Sequence, residues 1–349
     1  MRRTAAFLAD GLGAVAIIGP STSDLVFAAY DEVAARDVVI VSPSASSPLL
    51  SLIDGMMHSD DSPGLFWRTV PSDEFQGQAM ASDLTLRDRT HVAILNQDST
   101  YGSGLADVAQ GFLEDAGVEV DRMPWSDTTS RDDAVVAAGA VLGLEEVVFI
   151  SSEVEDIIAF LNSAAVLAGY NNPPLKRFFL ADAASDPYLL ENLAVTARPL
   201  LERVRGTRPQ VAKGEVLEAF KGAYAGAYGE DPSAAVFAPY TYDATWLALY
   251  GLVWSESQQG GASGTGVSRG IRKLSDKEGL SLPVRSSSYE TIASELTAGR
   301  GVDLNGASST LDFDPDSGEL SVPTEIWVVN EFGTGFDVVA VCDIEGNCS

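Results

Sequence analysis

Residues 15–50 read VAIIGPSTSDLVFAAYDEVAARDVVIVSPSASSPLL. The apolar run Val15-Ala16-Ile17-Ile18 has the character of a strand, stops at Gly19-Pro20 and leads into Ser21-Thr22-Ser23. A helical pattern fills 24–35. A second apolar run, Val38-Val39-Ile40-Val41, then ends in Ser42-Pro43-Ser44-Ala45-Ser46-Ser47. This predicts two consecutive parallel strands whose carboxyl ends carry loops of small hydroxyl side chains. Ligands of open α/β sheets bind beyond those ends. Serine and threonine loops there suit a small polar ligand such as a carboxylate, held by hydroxyls and N–H groups without reacting.

The pattern extends outward. Further strand-like runs fall at 65–69, 92–95, 118–120, 147–150 and 178–180, with amphipathic stretches at 74–86, 104–116, 131–142 and 154–168 between them. Short apolar runs alternating with longer helical ones are the pattern of βαβ units and a mostly parallel sheet. Gly117 and Gly169 read as helix stops. The second half changes character. Helices are expected at 214–228 and 240–256 around a turn at 229–232, and again at 268–274 and 287–298. The stretch 258–266, QQGGASGTG, reads as a surface loop, and 308–341 as β-structure with turns at 315–318 and 333–335.

At 349 residues the chain is long enough for two domains. Its 46% hydrophobic and 21% charged residues are those of a folded globular protein. Fifty acidic residues against 22 basic ones give a net charge of −28. That excludes nucleic acid as a partner and disfavours an anionic membrane surface, because too little positive charge is present to neutralise phosphates. No apolar run is long enough for a transmembrane helix, and the Met1 end carries no export signal. Cys342 and Cys348, six residues apart at the carboxyl end, fit either a small disulfide in an oxidising compartment or two free thiols.

Catalytic constellations are nearly absent. There are two histidines, His58 in a polar loop and His91 opening a strand, and both read as structural or solvated. No serine elbow, zinc-protease motif or phosphate-binding loop occurs. Gly264-Thr265-Gly266 lacks a preceding strand and reads as linker. The alternating aspartates at 312–319 read as a hairpin turn rather than a calcium loop. What remains is a set of polar residues at strand ends: Ser21, Thr22 and Ser23; Ser44 and Ser46; 98–101; Ser151, Ser152 and Glu153; and Asp182. Singly, each is well explained as a helix cap, with Ser23 or Asp24 capping 24–35. Together they form a zwitterion clamp, with hydroxyls and N–H groups for a carboxylate and Asp182 for an ammonium group.

Three segments carry a family resemblance: Ile18-Gly19-Pro20-x-x-Ser23; Ile40-Val41-Ser42-Pro43-Ser44-Ala45-Ser46-Ser47-Pro48; and Phe66-Trp67-Arg68-Thr69-Val70-Pro71-Ser72-Asp73-x-x-Gln76-Gly77. In this order the chain resembles the type I periplasmic binding proteins, and more narrowly the leucine/isoleucine/valine-binding receptors of ABC transporters. Asp98-x-x-Tyr101-Gly102-x-Gly104, Tyr228-Gly229-x-x-Pro232, Tyr242-Asp243-Ala244 and 306–318 agree with it.

The resemblance implies an α/β fold of two Rossmann-like lobes with mostly parallel sheets, joined by three crossovers and closing like a hinge. Lobe 1 is expected at 1–69 plus 241–306, and lobe 2 at 70–240 plus 307–349 with a β tail. The implied role is an ABC-transport receptor for an aliphatic or branched-chain amino acid, without enzymatic activity, cofactor or metal. Permease subunits would be its partners. Its place would be the periplasm or cell envelope, free or as a lipoprotein. By position, Ser23, Ser44, Ala45 and Ser46 take the α-carboxylate, Tyr101 covers the ligand, Asp182 takes the ammonium group, and Ser152 or Glu153 adds a contact. The family's first strand and helix have no counterpart before residue 8. Alternatives on the same fold are a sensory domain or a receptor for an amide, urea or aromatic acid. An α/β hydrolase is disfavoured, because neither a serine elbow nor a usable histidine is present.

Overall fold

The computed structural model describes residues 1–55, 57–232 and 235–349. Its backbone divides into two units, Met1–Ser72 with Val211–Ser321, and Asp73–Gln210 with Val322–Ser349. The chain therefore passes between units three times, after Ser72, Gln210 and Ser321.

The first unit holds a parallel sheet of β1 (Ala16–Ile18), β2 (Val39–Ser42) and β3 (Phe66–Arg68) in that order. All four residues of the central strand β2 are fully buried. That is what an uninterrupted apolar run specifies, since a parallel strand covered on both faces has no polar side. Helix Ser23–Ala34 lays Val26, Ala29 and Val33 on Ile40, the i, i+3, i+7 stripe of an amphipathic helix. Helix Ala238–Gln259 packs on β1 and β2 and on helix Gly264–Ile271. Those two helices meet backbone to backbone: a Cβ on Gly270 would lie 2.7 Å from the Cα of Gly251.

In the second unit, β4 (His91–Gln97), β5 (Glu119–Trp125), β6 (Glu146–Ile150), β7 (Arg177–Leu180) and β8 (Val204–Pro209) run parallel in the order 5-4-6-7-8. Beyond the first unit's parallel pair β9 (Leu280–Pro283) and β10 (Val302–Asn305), the chain returns as β11 (Thr324–Val329) and β12 (Phe336–Cys342). These add antiparallel to the β8 edge. Helices cover both faces, over one core around Phe149, Phe160, Phe178 and Trp327 and another around Ile94, Leu105, Val148 and Phe179. Because β5 and β6 flank β4 on opposite sides, the strand order reverses between β4 and β6. A crevice for a ligand forms at such a reversal, beyond the carboxyl ends.

Two expectations change. Residues 70–72, 211–240 and 307–321 belong to the first unit, not to lobe 2. The reason is packing. Phe220 of helix Glu215–Tyr228 clusters with Leu217, Ala307 and Tyr242, Ala212 N–H donates to Ser308 O at 2.7 Å, and Phe313 meets the edge of Trp67. Likewise, 264–266 is not linker but the first turn of helix Gly264–Ile271. Ser263 Oγ accepts from Gly266 N (3.0 Å), and Asp37 accepts from the N–H and hydroxyl of Thr265 (2.7 and 2.6 Å). Its glycines serve close approach, Gly264 to the Asp37 backbone and Gly266 to Ser255.

Candidate functional site

In the first unit the two serine loops are stitched together. Ser42 Oγ donates to Pro20 O (2.6 Å) and accepts from Ala45 N (3.1 Å). Ser44 Oγ donates to Ser21 O (2.8 Å), and Ser47 N donates to Ser23 Oγ (3.2 Å). Ser23 is the first residue of its helix rather than its cap. Thr22 holds the cap position and makes no side-chain capping bond. Ser23, Ala45 and Ser46 are buried, Ser44 partly so. These bonds assign the hydroxyls different roles. The Ser44 proton is committed to the loop, whereas Ser23 acts as acceptor toward Ser47 and keeps its own proton to donate.

In the second unit the strand-end residues separate into two groups. Tyr101 stands in the first turn of helix Thr100–Asp115, whose cap Ser99 accepts from Gly102 N at 3.0 Å. Asp182 opens the short turn Asp182–Ser185 after β7. Both are buried, and the Tyr101 hydroxyl donates to the Asp182 carboxylate. Burial pushes the Asp182 carboxyl above the ordinary range, and the Tyr101 hydrogen bond opposes that. Burial, then the carboxylates of Asp182 and Asp73, push the Tyr101 phenol well up, so it remains a donor. Gln76 of helix Asp73–Leu86 completes the cluster. Turned as its neighbours demand, its amide donates to Asp73 (3.1 Å) and accepts from Asp182 N (3.2 Å) and Thr207 Oγ1 (3.1 Å). The second group makes different bonds: Ser152 Oγ is 3.2 Å from Gln97 Oε1 and 3.3 Å from Glu153 Oε1, and Glu153 is exposed.

Nothing in the sequence marks Thr207, or the partners of Gln76, as belonging to a site. Gln76 lies within a segment that bears the family resemblance, which marks its position and not its partners. The histidines are structural: His58 Nε2 meets Asp54 (3.0 Å) and His91 Nε2 meets Asp121 (2.9 Å). In the segment 312–319, Asp314 accepts from Ser317 N (2.7 Å) and Ser317 Oγ (2.9 Å) within the turn. Among the described residues no cluster of His, Cys, Asp or Glu could hold a metal ion, and no helix is long and apolar enough to cross a membrane. Cys342 and Cys348 are joined in a disulfide. The loop it closes lies on helix Asp73–Leu86, where Gln78 donates to Glu345 O (2.8 Å).

Two α/β units linked by three passages, each with polar loops at the carboxyl ends of parallel strands, define a two-unit α/β binding protein. The family model described as periplasmic binding protein matches residues 3–295, and the chain belongs to that family. No curated protein matches the sequence. Among solved structures, the leucine-binding protein LivK of Thermotoga maritima is similar at 20% identity, with 99% of this chain and 85% of that one covered and a TM-score of 0.75. LivJ of Streptococcus pneumoniae in complex with isoleucine aligns at 17% identity, 97% and 82% coverage, TM-score 0.64. A solute-binding protein of R. palustris in complex with 4-hydroxybenzoate aligns at 13% identity, 98% and 82% coverage, TM-score 0.72. At these identities the likeness is one of fold.

Proposed function

We propose that this chain is the solute receptor of an ABC transporter and that its solute is an aliphatic amino acid. The observation that carries this is the Tyr101–Asp182 pair. A buried carboxylate held by neutral donors, with no cation in salt-bridge range among the described residues, is matched by a ligand that brings its own positive charge. The serine loops of the first unit, taken by themselves, offer hydroxyl and backbone donors suited to a carboxylate. Ser23, Ala45 and Ser46 serve that group, while Ser44 holds the loop. Ser152 and Glu153 stand as outer contacts.

Several observations support this reading. Neighbours of the same fold bind leucine or isoleucine, and nothing in the cluster resembles a nucleophile with its base. The disulfide agrees with an extracytoplasmic place, where such bonds persist. Permease subunits are the corresponding partners. Neighbours holding benzoates favour a second reading, an aromatic acid receptor, in which Asp182 would face no cation.

Thermal shift and calorimetry with leucine, isoleucine, valine, 4-hydroxybenzoate and urea decide between them, since a ligand bound by the folded form raises Tm. Saturable binding of one of the three amino acids is expected. Binding of the benzoate alone, or of urea alone, overturns the amino-acid reading.

A further inference from the structure

Arg68 ends β3 and is buried, and every N–H of its guanidinium is used. Nε and one Nη2 hydrogen go to Glu319 Oε2 and Oε1, both at 2.8 Å. Nη1 donates to the carbonyls of Ala45 (3.3 Å) and Ser47 (3.0 Å), and the remaining Nη2 hydrogen reaches Ser51 Oγ (2.8 Å). Five donors in a rigid fork find five acceptors. Three of those acceptors lie on the serine loop and the short turn Pro48–Leu52 that follows it. The fourth and fifth are the two oxygens of one carboxylate, a bidentate ion pair with both partners mostly shielded from water.

The consequence for the loop follows from peptide geometry. In a trans peptide the C=O and N–H of one unit point in opposite directions. By drawing the Ala45 carbonyl toward itself, Arg68 turns the Ser46 N–H the other way, off the guanidinium side. Ser47 precedes Pro48, so its carbonyl is fixed without any N–H to place behind it. The direction of the Ser46 donor is thereby set by a side chain that stands beneath the loop, not in it.

We propose that Arg68, locked by Glu319, is the positioning residue of the carboxylate-holding loop 44–47. The inference rests on the amino-acid reading for the ligand, but its first test does not. Two variants separate it from a general structural role. Arg68→Lys keeps the charge and loses the fork. Glu319→Gln keeps the shape and removes the charge that aims the guanidinium; it also guards against a lysine variant that fails to fold.

Hydrogen exchange of the ligand-free protein reads the loop directly. Peptides covering 44–51 should exchange about tenfold faster in Glu319→Gln, while those covering β2 and the second unit's β6 are unchanged. Equal exchange of 44–51 in variant and wild type overturns the positioning role, whatever the ligand is. Calorimetry with L-leucine and L-leucinamide then reads its link to binding. The preference of wild type for the carboxylate over the amide should fall about tenfold in either folded variant. An unchanged preference, with Tm lowered, leaves Arg68 a packing residue only and overturns the link. Faster exchange at 44–51 in a protein whose wild type binds neither compound supports the positioning role and removes the amino-acid reading instead.

Discussion

The hydroxyl of Tyr101 donates to the carboxylate of Asp182, and no lysine or arginine among the described residues pairs with that carboxylate. Tyr101 comes from the turn after β4, Asp182 from the turn after β7, and Gln76 braces the Asp182 backbone from a third element. A buried anion supported only by neutral donors is poised for a cation. Asp182→Asn should therefore weaken leucine by about 2–4 kcal/mol, the scale of a buried charged pair losing one partner. Its effect on a benzoate should be small or favourable. Calorimetry on both ligands checks this, and equal losses would remove the ammonium role from Asp182.

Proton linkage gives a second test. Burial raises the Asp182 carboxyl above its ordinary value, so it holds its proton to higher pH than an exposed aspartate does. The protonated form cannot pair with an ammonium group. Amino-acid affinity should accordingly fall as pH drops through the raised value, rise as pH increases past it, and level off above it. Leucine binding measured from about pH 4 to pH 8 should show one acid limb that vanishes in Asp182→Asn. Affinity that is flat over this range, or higher in acid, contradicts the assignment.

At the opposite end of the same strands, Glu146 opens β6 fully buried, with Arg87 bound to both oxygens (2.7 and 2.9 Å) and Arg89 to one (2.8 Å). Removing the carboxylate strips Arg89 of its partner and leaves Arg87, partly shielded, with Asp83 alone. Glu146→Ala should lose about 3–5 kcal/mol of stability. Since the proposed site lies beyond the carboxyl ends and Glu146 at an amino end, the variant that remains folded should bind as wild type does. Denaturant unfolding and calorimetry together measure the two, and a changed ligand preference would place the network in the site.

The strands were the most legible part of the fold. Each of the seven apolar runs read as strands overlaps a strand, and for the inner ones, β2, β4, β6 and β7, burial on both faces calls for a near-continuous apolar run. Helix Gly264–Ile271 was hidden because its start consists of serine, threonine and glycine. It forms because Ser263 and Asp37 satisfy its first N–H groups, and Asp37 is far away in sequence. The same limit explains the displaced unit boundary. Phe220 declares a helix by its spacing, but nothing local says that Tyr242 and Ala307 will cover it. In the site, Tyr101 and Asp182 were readable as polar residues ending strands. Gln76, Thr207 and Arg68 act through partners on other elements, and that information exists only once the chain has folded.

Asp243 makes the last prediction, one about stability alone. It is buried in the first unit, where its carboxylate accepts from Ala307 N (2.9 Å), Ser308 N (2.7 Å) and Ser308 Oγ (2.6 Å). Burial outweighs these bonds and pushes its pKa up to about 6, from the usual 3.8. The native state thus holds this proton where the unfolded chain has released it. Its contribution to stability is fully present below about pH 4 and is lost as pH rises through about 6, in all roughly 3 kcal/mol at ~1.4 kcal/mol per pKa unit. Asp182, also raised, adds a slope of the same sign. Asp243→Asn turns an amide donor toward Ser308 N–H and should lose about 1–3 kcal/mol at acid pH. Its stability between pH 4 and pH 6, followed by urea unfolding, should decline less steeply than that of wild type. Parallel curves for the two proteins would show that Asp243 does not titrate in this window.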